Sequence, residues 1–350
     1  MSHFLFAAHD PGGANMLRPV IALALAEGDR VSLVADGPAR EIWRDADDDV
    51  AGRARKVDPA NAFEPLRPDL LITGTSFCGF ERSLWSGAHK RGIGSVAAID
   101  AWTNLRRRFE GQRAPEMPKA ICVADEAMRD EIAGGKWCHA RLHVTGHPHL
   151  QAVVARLRRE RAHRAPVADL PVTAFFSEPV DEDHGGIEAV GYDQFSIAGA
   201  VVGALDGEGA KILLVKPHPR EDMAVWRDWL DGLPLPEGMT ILVDDGAAED
   251  ILARCDTALG IHSMALVEAA LSGIPALAVQ IGRNRRINPV LETVFQVPVA
   301  TDAEGLAGAL RGAVPAPAGA AGNGGVPGGL IDHADARMLA AIRAELPMGS

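Results

Sequence analysis

Two short stretches of this 350-residue chain concentrate side chains able to handle an anion. The first is KPHPRED, residues 216–222, where Lys216, His218 and Arg220 follow the apolar run ILLV. Pro217 and Pro219 flank the histidine, remove backbone donors and restrict φ, so the imidazole is held on a stiff turn. A histidine so placed can give a hydrogen bond or a proton to a phosphate oxygen, and such proton transfer is worth roughly 10²–10⁴ in rate. The same residues also suit a strand-ending turn whose histidine merely packs. The second stretch is GIHSMALVEAALSGIP, residues 260–275. His262 and Ser263 precede a helix, where free amides and the dipole favour an anion by roughly 0.3–1 kcal/mol. Glu268, five residues on, can accept two hydrogen bonds from a ribose diol. Equally, Ser263 can be a plain N-cap and Glu268 a complement to the helix dipole. Together the two turns suggest a nucleotide or phosphate site.

A third turn, HDPGGA at 9–14, closes the first apolar run of the chain. Gly12 and Gly13 let backbone approach a ligand closely, while Asp10 or His9 could deprotonate a hydroxyl. Asp100, after the apolar run SVAAI, is a further candidate at the same edge. The competing reading is a tight turn whose aspartate caps the next helix. Ser177-Glu178-Pro179 and residues 181–186 follow the run VTAFF and should line a site, with Gly185 and Gly186 giving room for a phosphate or acceptor. Asp244-Asp245-Gly246 reads as a loop near the base or ribose of a nucleotide.

Other clusters read better as surface. Arg106, Arg107 and Arg108, with Arg113 and Lys119 nearby, could hold an acidic acceptor or lipid phosphate, but a solvated charged loop fits better. His139, His143, His147 and His149 lack cysteine or acidic companions at zinc-site spacing, so no metal is expected. Asp45-Ala46-Asp47 imitates a metal-binding DxD, yet it follows a helix rather than a strand.

These turns need a scaffold, and the apolar pattern supplies one. Runs at 4–8, 31–35, 70–73, 95–99 and 120–123 alternate with helical stretches such as 15–27 and 80–91. Short, fully apolar strands separated by amphipathic helices predict parallel sheets buried on both faces. A second series begins at 172–176 and continues at 211–215, 239–243, 257–259 and 276–279. The expected fold class is α/β, with two doubly wound Rossmann-like domains facing a cleft. The expected domains are 1–150 on the acceptor side and 151–312 on the nucleotide-sugar side. An Ala/Pro/Gly linker at 313–329 cannot bury a core, and a last helix with a tail fills 330–350.

Bulk properties bound the function. The formal charge of −12 argues against a non-specific nucleic-acid binder. Cys78, Cys122, Cys138 and Cys255 are far apart and sit in or beside apolar runs, so buried free thiols in a reducing compartment are expected. The first residues have no basic region, the apolar run there is too short for a signal peptide, and no stretch of about 20 apolar residues occurs. A cytoplasmic enzyme is expected, without a membrane span, although peripheral association is compatible.

The two turns of the second half resemble the donor domain of GT-B-fold glycosyltransferases and of the related UDP-N-acetylglucosamine 2-epimerases. The resemblance implies that Ser263 binds phosphate, that Glu268 binds ribose, and that Gly273-Ile274-Pro275 leads into the next strand. KPHP is similar to the HP motif of bacterial sialyltransferases and capsule transferases that use CMP-sugars, which implies that His218 contacts the donor phosphate. Residues 144–148, VTGHP, are similar to the segment closing the first domain of such enzymes. One departure stands out: the sialyltransferase motif carrying the general base precedes the HP motif, whereas the one DDG here follows it. The base is therefore expected from the first domain, in the order Asp10, His9, Asp100. The expected donor contacts are Ser177, Lys216, Pro219, Arg220, Asp245, His262, Ser263 and Glu268, with His218 catalytic and Gly12, Gly13 and Asp100 on the acceptor side. The implied activity is metal-independent transfer from a nucleotide-sugar, CMP slightly before UDP, to a surface glycan or protein, without a cofactor. A sugar-nucleotide 2-epimerase or hydrolase, and a non-catalytic sugar-nucleotide-binding protein, are the alternatives.

Overall fold

The computed structural model describes residues 1–44, 55–56, 58, 62–64, 66–111, 117–163, 170–206, 209, 211–312 and 329–347. Asp45-Ala46-Asp47, Arg113 and residues 313–328 of the expected linker lie outside the described residues. The chain forms two compact units, Met1–Ala152 with Pro327–Ser350, and Val153–Val326.

In the first unit the five apolar runs become strands of a parallel sheet that has seven among the described residues: β1 His3–Ala8, β2 Arg30–Ala35, β3 Arg55–Lys56, β4 Leu70–Thr73, β5 Gly94–Ala98, β6 Ala120–Val123 and β7 Arg141–Val144. Their order is β3-β2-β1-β4-β5-β6-β7. β1 is buried along its whole length because it pairs on both sides, Phe6 with Leu33 of β2 and with Ile72 of β4. Helices α1 Pro11–Ala26, α2 Ala39–Arg44, α3 Phe80–Lys90 and α4 Glu126–Gly134 connect the strands. Helix α1 starts at Pro11, four residues before the apolar stripe suggests, since proline suits a first helical turn whose N–H has no partner anyway.

The unit boundary falls inside helix α5, Pro148–Ala162, between Ala152 and Val153. Its arginines have structural work in the second unit. The Arg158 guanidinium donates to the Leu271 carbonyl, and Arg161 donates to the carbonyls of Leu252 and Cys255. These are orphan carbonyls at helix ends, which cations satisfy well.

Among the described residues the second unit has six parallel strands: β8 Val172–Phe176, β9 Lys211–Lys216, β10 Met239–Val243, β11 Thr257–Gly260, β12 Ala276–Val279 and β13 Val299–Ala300, in the order β10-β9-β8-β11-β12-β13. Between them run α6 Val180–His184, α7 Gly186–Val190, α8 Gln194–Leu205, α9 Met223–Asp231, α10 Ala248–Arg254, α11 Met264–Leu271, α12 Val290–Thr293 and α13 Ala303–Arg311. The last helix, α14 Ala334–Ala344, returns to the first unit, where Met338, Leu339 and Ile342 join the core of Leu17, Ile21 and Phe4.

Both sheets are doubly wound. The winding reverses at β1/β4 in the first unit and at β8/β11 in the second, and open α/β sheets bind ligands in the crevice beyond the strand ends at such points. Two features depart from expectation. The short edge strands β3, β7 and β13 have no strong apolar run, because an edge strand buries less. The cysteines are not uniformly buried: Cys122 and Cys255 are, Cys138 is half-buried, and Cys78 is exposed in the turn after β4.

Candidate functional site

In the second unit, β8 delivers Ser177 and Glu178, β9 delivers Lys216 and His218, and β11 delivers His262 and Ser263 to the carboxyl ends of adjacent strands. The KPHP turn is built around one carboxylate. The His218 N–H donates to Glu221 Oε2 at 2.6 Å, and Ser177 Oγ donates to Glu221 Oε1 at 2.9 Å. The Arg220 N–H donates to His218 Nδ1 at 3.2 Å. In the neutral ring the proton therefore lies on Nε2, which among the described residues has no protein partner. Burial and the nearby Arg220 lower the His218 pKa, which favours that neutral form. Lys216 is half-buried, donates from Nζ to the Pro217 carbonyl at 2.6 Å, and has its pKa lowered by burial.

Other donor candidates are more committed. The Arg220 guanidinium forms a bidentate pair with Asp183, so its charge is already matched. His262 is buried: its N–H donates to Glu178 Oε2 at 2.5 Å, its Nδ1 is 3.3 Å from the same oxygen, and its Nε2 is 2.8 Å from the hydroxyl of Tyr192. Both ring nitrogens thus face protein groups. Ser263 is the N-cap of α11, accepting from the Ala265 N–H at 3.3 Å. Glu268 is buried one turn inside that eight-residue helix, and desolvation, with Glu249 adding to it, pushes its pKa up to about 8. At neutral pH it is mostly the neutral acid, able to donate as well as accept. Asp244 caps Gly246 and pairs with Arg254 at 2.6 Å, while Asp245 and Asp244 both act electrostatically on Lys216. Pro219 shapes the turn by having no N–H. Gly185 and Gly186 both adopt positive φ, at 81° and 59°, ending α6 and starting α7.

In the first unit the turn after β1 places His9 and Asp10 at the reversal. The expected alternative was an aspartate capping α1, but Asp10 makes no side-chain cap. Its Oδ1 instead accepts from His9 Nδ1 at 2.7 Å. That bond leaves the lone pair on Nε2, so the pair is an imidazole base with an orienting carboxylate. The His9 N–H donates to Glu81 Oε1 at 3.0 Å, and the other oxygen of this buried carboxylate accepts from Ser76 Oγ. Asp100 is engaged elsewhere: its Oδ1 is 2.7 Å from the buried Arg108, which also donates to the carbonyl and hydroxyl of Thr75.

The paired glycines have close protein neighbours. A Cβ on Gly12 would lie 1.8 Å from Asp100 Oδ2, and one on Gly13 would lie 3.1 Å from the Cα of Gly74. They admit the Asp100 carboxylate and the turn after β4, so both positions are closely packed by protein atoms. Of the arginine run, Arg107 and Arg108 sit over the Phe77 ring at 5.0 and 5.5 Å. Among the histidines considered for metal, His143 pairs with Glu345 at 2.9 Å. His147 is held between the Leu150 N–H and the Asp100 carbonyl, and burial lowers its pKa to about 4.

Sequence reasoning missed Glu81, Glu221 and Tyr192, and named Glu178 only as lining the site, without its partner His262. Only Glu221 left a local signal, three residues beyond His218. The others reach their partners across 70 or more residues.

Comparison with solved structures agrees with this topology. UDP-GlcNAc 2-epimerase from Methanocaldococcus jannaschii is similar at TM-score 0.68 and 11% identity, over 97% of this chain and 99% of that one. The enzyme of the same name from Neisseria meningitidis, solved bound to UDP-GlcNAc, gives 0.65 and 12%, over 98% and 100%. MurG from Acinetobacter baumannii gives 0.55 and 12%, over 98% and 100%. The fold is GT-B. No protein-family model and no curated protein matches the chain. Within this GT-B frame, the two reversal points carry most of the candidate residues, and no helix of the described residues is long and apolar enough to cross a membrane.

Proposed function

We propose that the protein is a glycosyltransferase that takes its sugar from a nucleotide-activated donor. The second unit would hold the donor, and the first would activate a hydroxyl of a glycan or protein acceptor in the cytoplasm. The observation that carries this reading is the contrast between two histidines. His9 offers a lone pair on Nε2, and His218 offers a hydrogen-bond donor, its Nε2–H. Transfer needs both: a base for the incoming hydroxyl and a donor for the departing phosphate. Asp10 would fix the tautomer of His9. Lys216 and the free amides at the start of α11 would add positive potential for the phosphate, and Glu268 would bind the ribose. This chemistry calls for no metal.

A thermal-shift panel of CMP, CDP, UDP, GDP and dTDP tests the donor class, since a ligand that binds the native state raises Tm by mass action. KPHP puts CMP in contention, and the UDP-GlcNAc bound by the N. meningitidis enzyme puts UDP there too. The result that defeats the reading is no shift with any of the five.

A 2-epimerase is the second reading, favoured by the likeness to two enzymes of that name. Incubating the protein with its nucleotide-sugar and no acceptor separates the two. Rapid consumption of the sugar-nucleotide selects the epimerase, and slow or no consumption selects the transferase.

A further inference from the structure

The KPHP turn poses a backbone problem that the sequence conceals. Pro217 and Pro219 have no N–H, so His218 carries the one amide donor of residues 217–219. Left unpaired in a half-buried turn, that donor would cost about 1–3 kcal/mol. It is paired with a carboxylate rather than with the sheet, through the 2.6 Å bond to Glu221 Oε2. The second oxygen of Glu221 takes the hydroxyl of Ser177, which stands at the end of β8. The Ser177 N–H in turn donates to the Lys216 carbonyl at 2.9 Å, so the ends of β8 and β9 are joined twice. Glu221 belongs to the same turn, where its own N–H donates to the His218 carbonyl at 2.9 Å.

We infer that Glu221 is the positioning residue of His218: its carboxylate sets the backbone of the turn through the amide and anchors it to Ser177, so that Nδ1 meets the Arg220 N–H and Nε2–H points outward. The inference rests on the donor-phosphate role proposed for His218. Glu221 acts through His218 and touches no substrate itself. Charge-assisted hydrogen bonds of this length are stronger and more directional than neutral ones, which suits a residue that must fix a ring. The Glu221 pKa is raised by burial, which the hydrogen bonds from the His218 amide and the Ser177 hydroxyl only partly offset.

The chemistry makes a specific demand on substitutions. Glutamine can keep both bonds, its carbonyl accepting from the His218 amide and its NH₂ donating to Ser177 Oγ, because a hydroxyl works in either direction. Alanine loses both. Ser177→Ala loses one and leaves the His218 amide paired.

The experiment uses full-length protein and two readouts. With ¹⁵N-histidine labelling, the His218 amide should resonate far downfield in wild type and in Glu221→Gln, and move upfield in Glu221→Ala. The ring nitrogen shifts should report the Nε2–H tautomer in the first two and a mixture in the third. By calorimetry with UDP and with CMP, Glu221→Ala should bind the preferred nucleotide about tenfold more weakly, the equivalent of one hydrogen bond to a charged group. Glu221→Gln should stay within about twofold of wild type, and Ser177→Ala should lose about threefold. An unchanged His218 tautomer and affinity in Glu221→Ala would overturn the inference, as would a glutamine variant as impaired as alanine. If wild type binds neither nucleotide, the functional reading fails, and the tautomer shift alone then decides whether Glu221 positions the ring. If Glu221→Ala does not fold, Ser177→Ala decides: wild-type affinity together with unmoved His218 ring-nitrogen shifts overturns the inference.

Discussion

One strand-end turn in each unit, after β1 at the first reversal and after β9 beside the second, solves the same problem with opposite polarity. In each, a histidine follows a buried strand, its amide is bound by a glutamate carboxylate, and the second oxygen of that carboxylate takes a serine hydroxyl. The first unit uses His9, Glu81 and Ser76; the second uses His218, Glu221 and Ser177. What differs is the neighbour of Nδ1. For His9 it is an acceptor, the Asp10 carboxylate, so Nε2 is a base. For His218 it is a donor, the Arg220 N–H, so Nε2 carries the proton. One local substitution of acceptor for donor turns the outward nitrogen of the same ring from a base into a hydrogen-bond donor, so neighbouring groups set which role each histidine can take.

The largest test of this contrast is Asp10→Asn. The amide removes the carboxylate that holds the His9 tautomer, and turnover should fall by roughly 10²–10⁴ while nucleotide affinity stays within about threefold. Steady-state rates with calorimetry check it, and full activity would mean that His9 is not the base.

A second pair of substitutions compares how the two units use their Arg–Asp pairs. Asp100→Ala leaves the buried Arg108 uncompensated and should destabilise by about 3 kcal/mol. Asp183→Ala breaks the exposed Arg220 pair and should cost less than about 1 kcal/mol. Urea unfolding of both variants measures the difference, and equal losses would erase the distinction.

Glu268 has no counterpart among the titrating groups discussed for the first unit, and its effect is pH-dependent. Its folded pKa, about 8, lies above the ordinary carboxylate value of 4.5. Between these values the native state holds a proton that the unfolded chain has released, so stability is full below about pH 4.5 and declines as pH rises towards 8. The slope can reach about 1.4 kcal/mol per pH unit. Glu268→Gln should remove this decline, and parallel Tm curves for both proteins from pH 5 to 9 would refute the raised pKa.

The smallest effect belongs to Ser263. As the N-cap of α11 it should contribute about 1 kcal/mol, lost in Ser263→Ala. If nucleotide affinity falls as well, by calorimetry, the hydroxyl serves phosphate in addition to the helix.

The sequence by itself determined most of the scaffold. Runs such as FLFAA and VTAFF are short, largely apolar and bounded by turn residues, which suits a strand inside a parallel sheet, so β8 was legible to the residue and β1 to within one. Edge strands were not, since β3 and β13 bury too little to need such a run. Strand ends also placed His9, His218, His262 and Ser263 at the correct turns, because a turn is local. Their protonation roles were not local. Tertiary structure decided that Glu81 reaches His9 from 72 positions away, and that Tyr192 and Glu178 occupy both nitrogens of His262. It also decided that Gly12 packs against the Asp100 carboxylate, where a Cβ has no room. A hydrogen bond depends on ångström-scale distance and direction, and for groups dozens of residues apart only the packed sheet and helices set these.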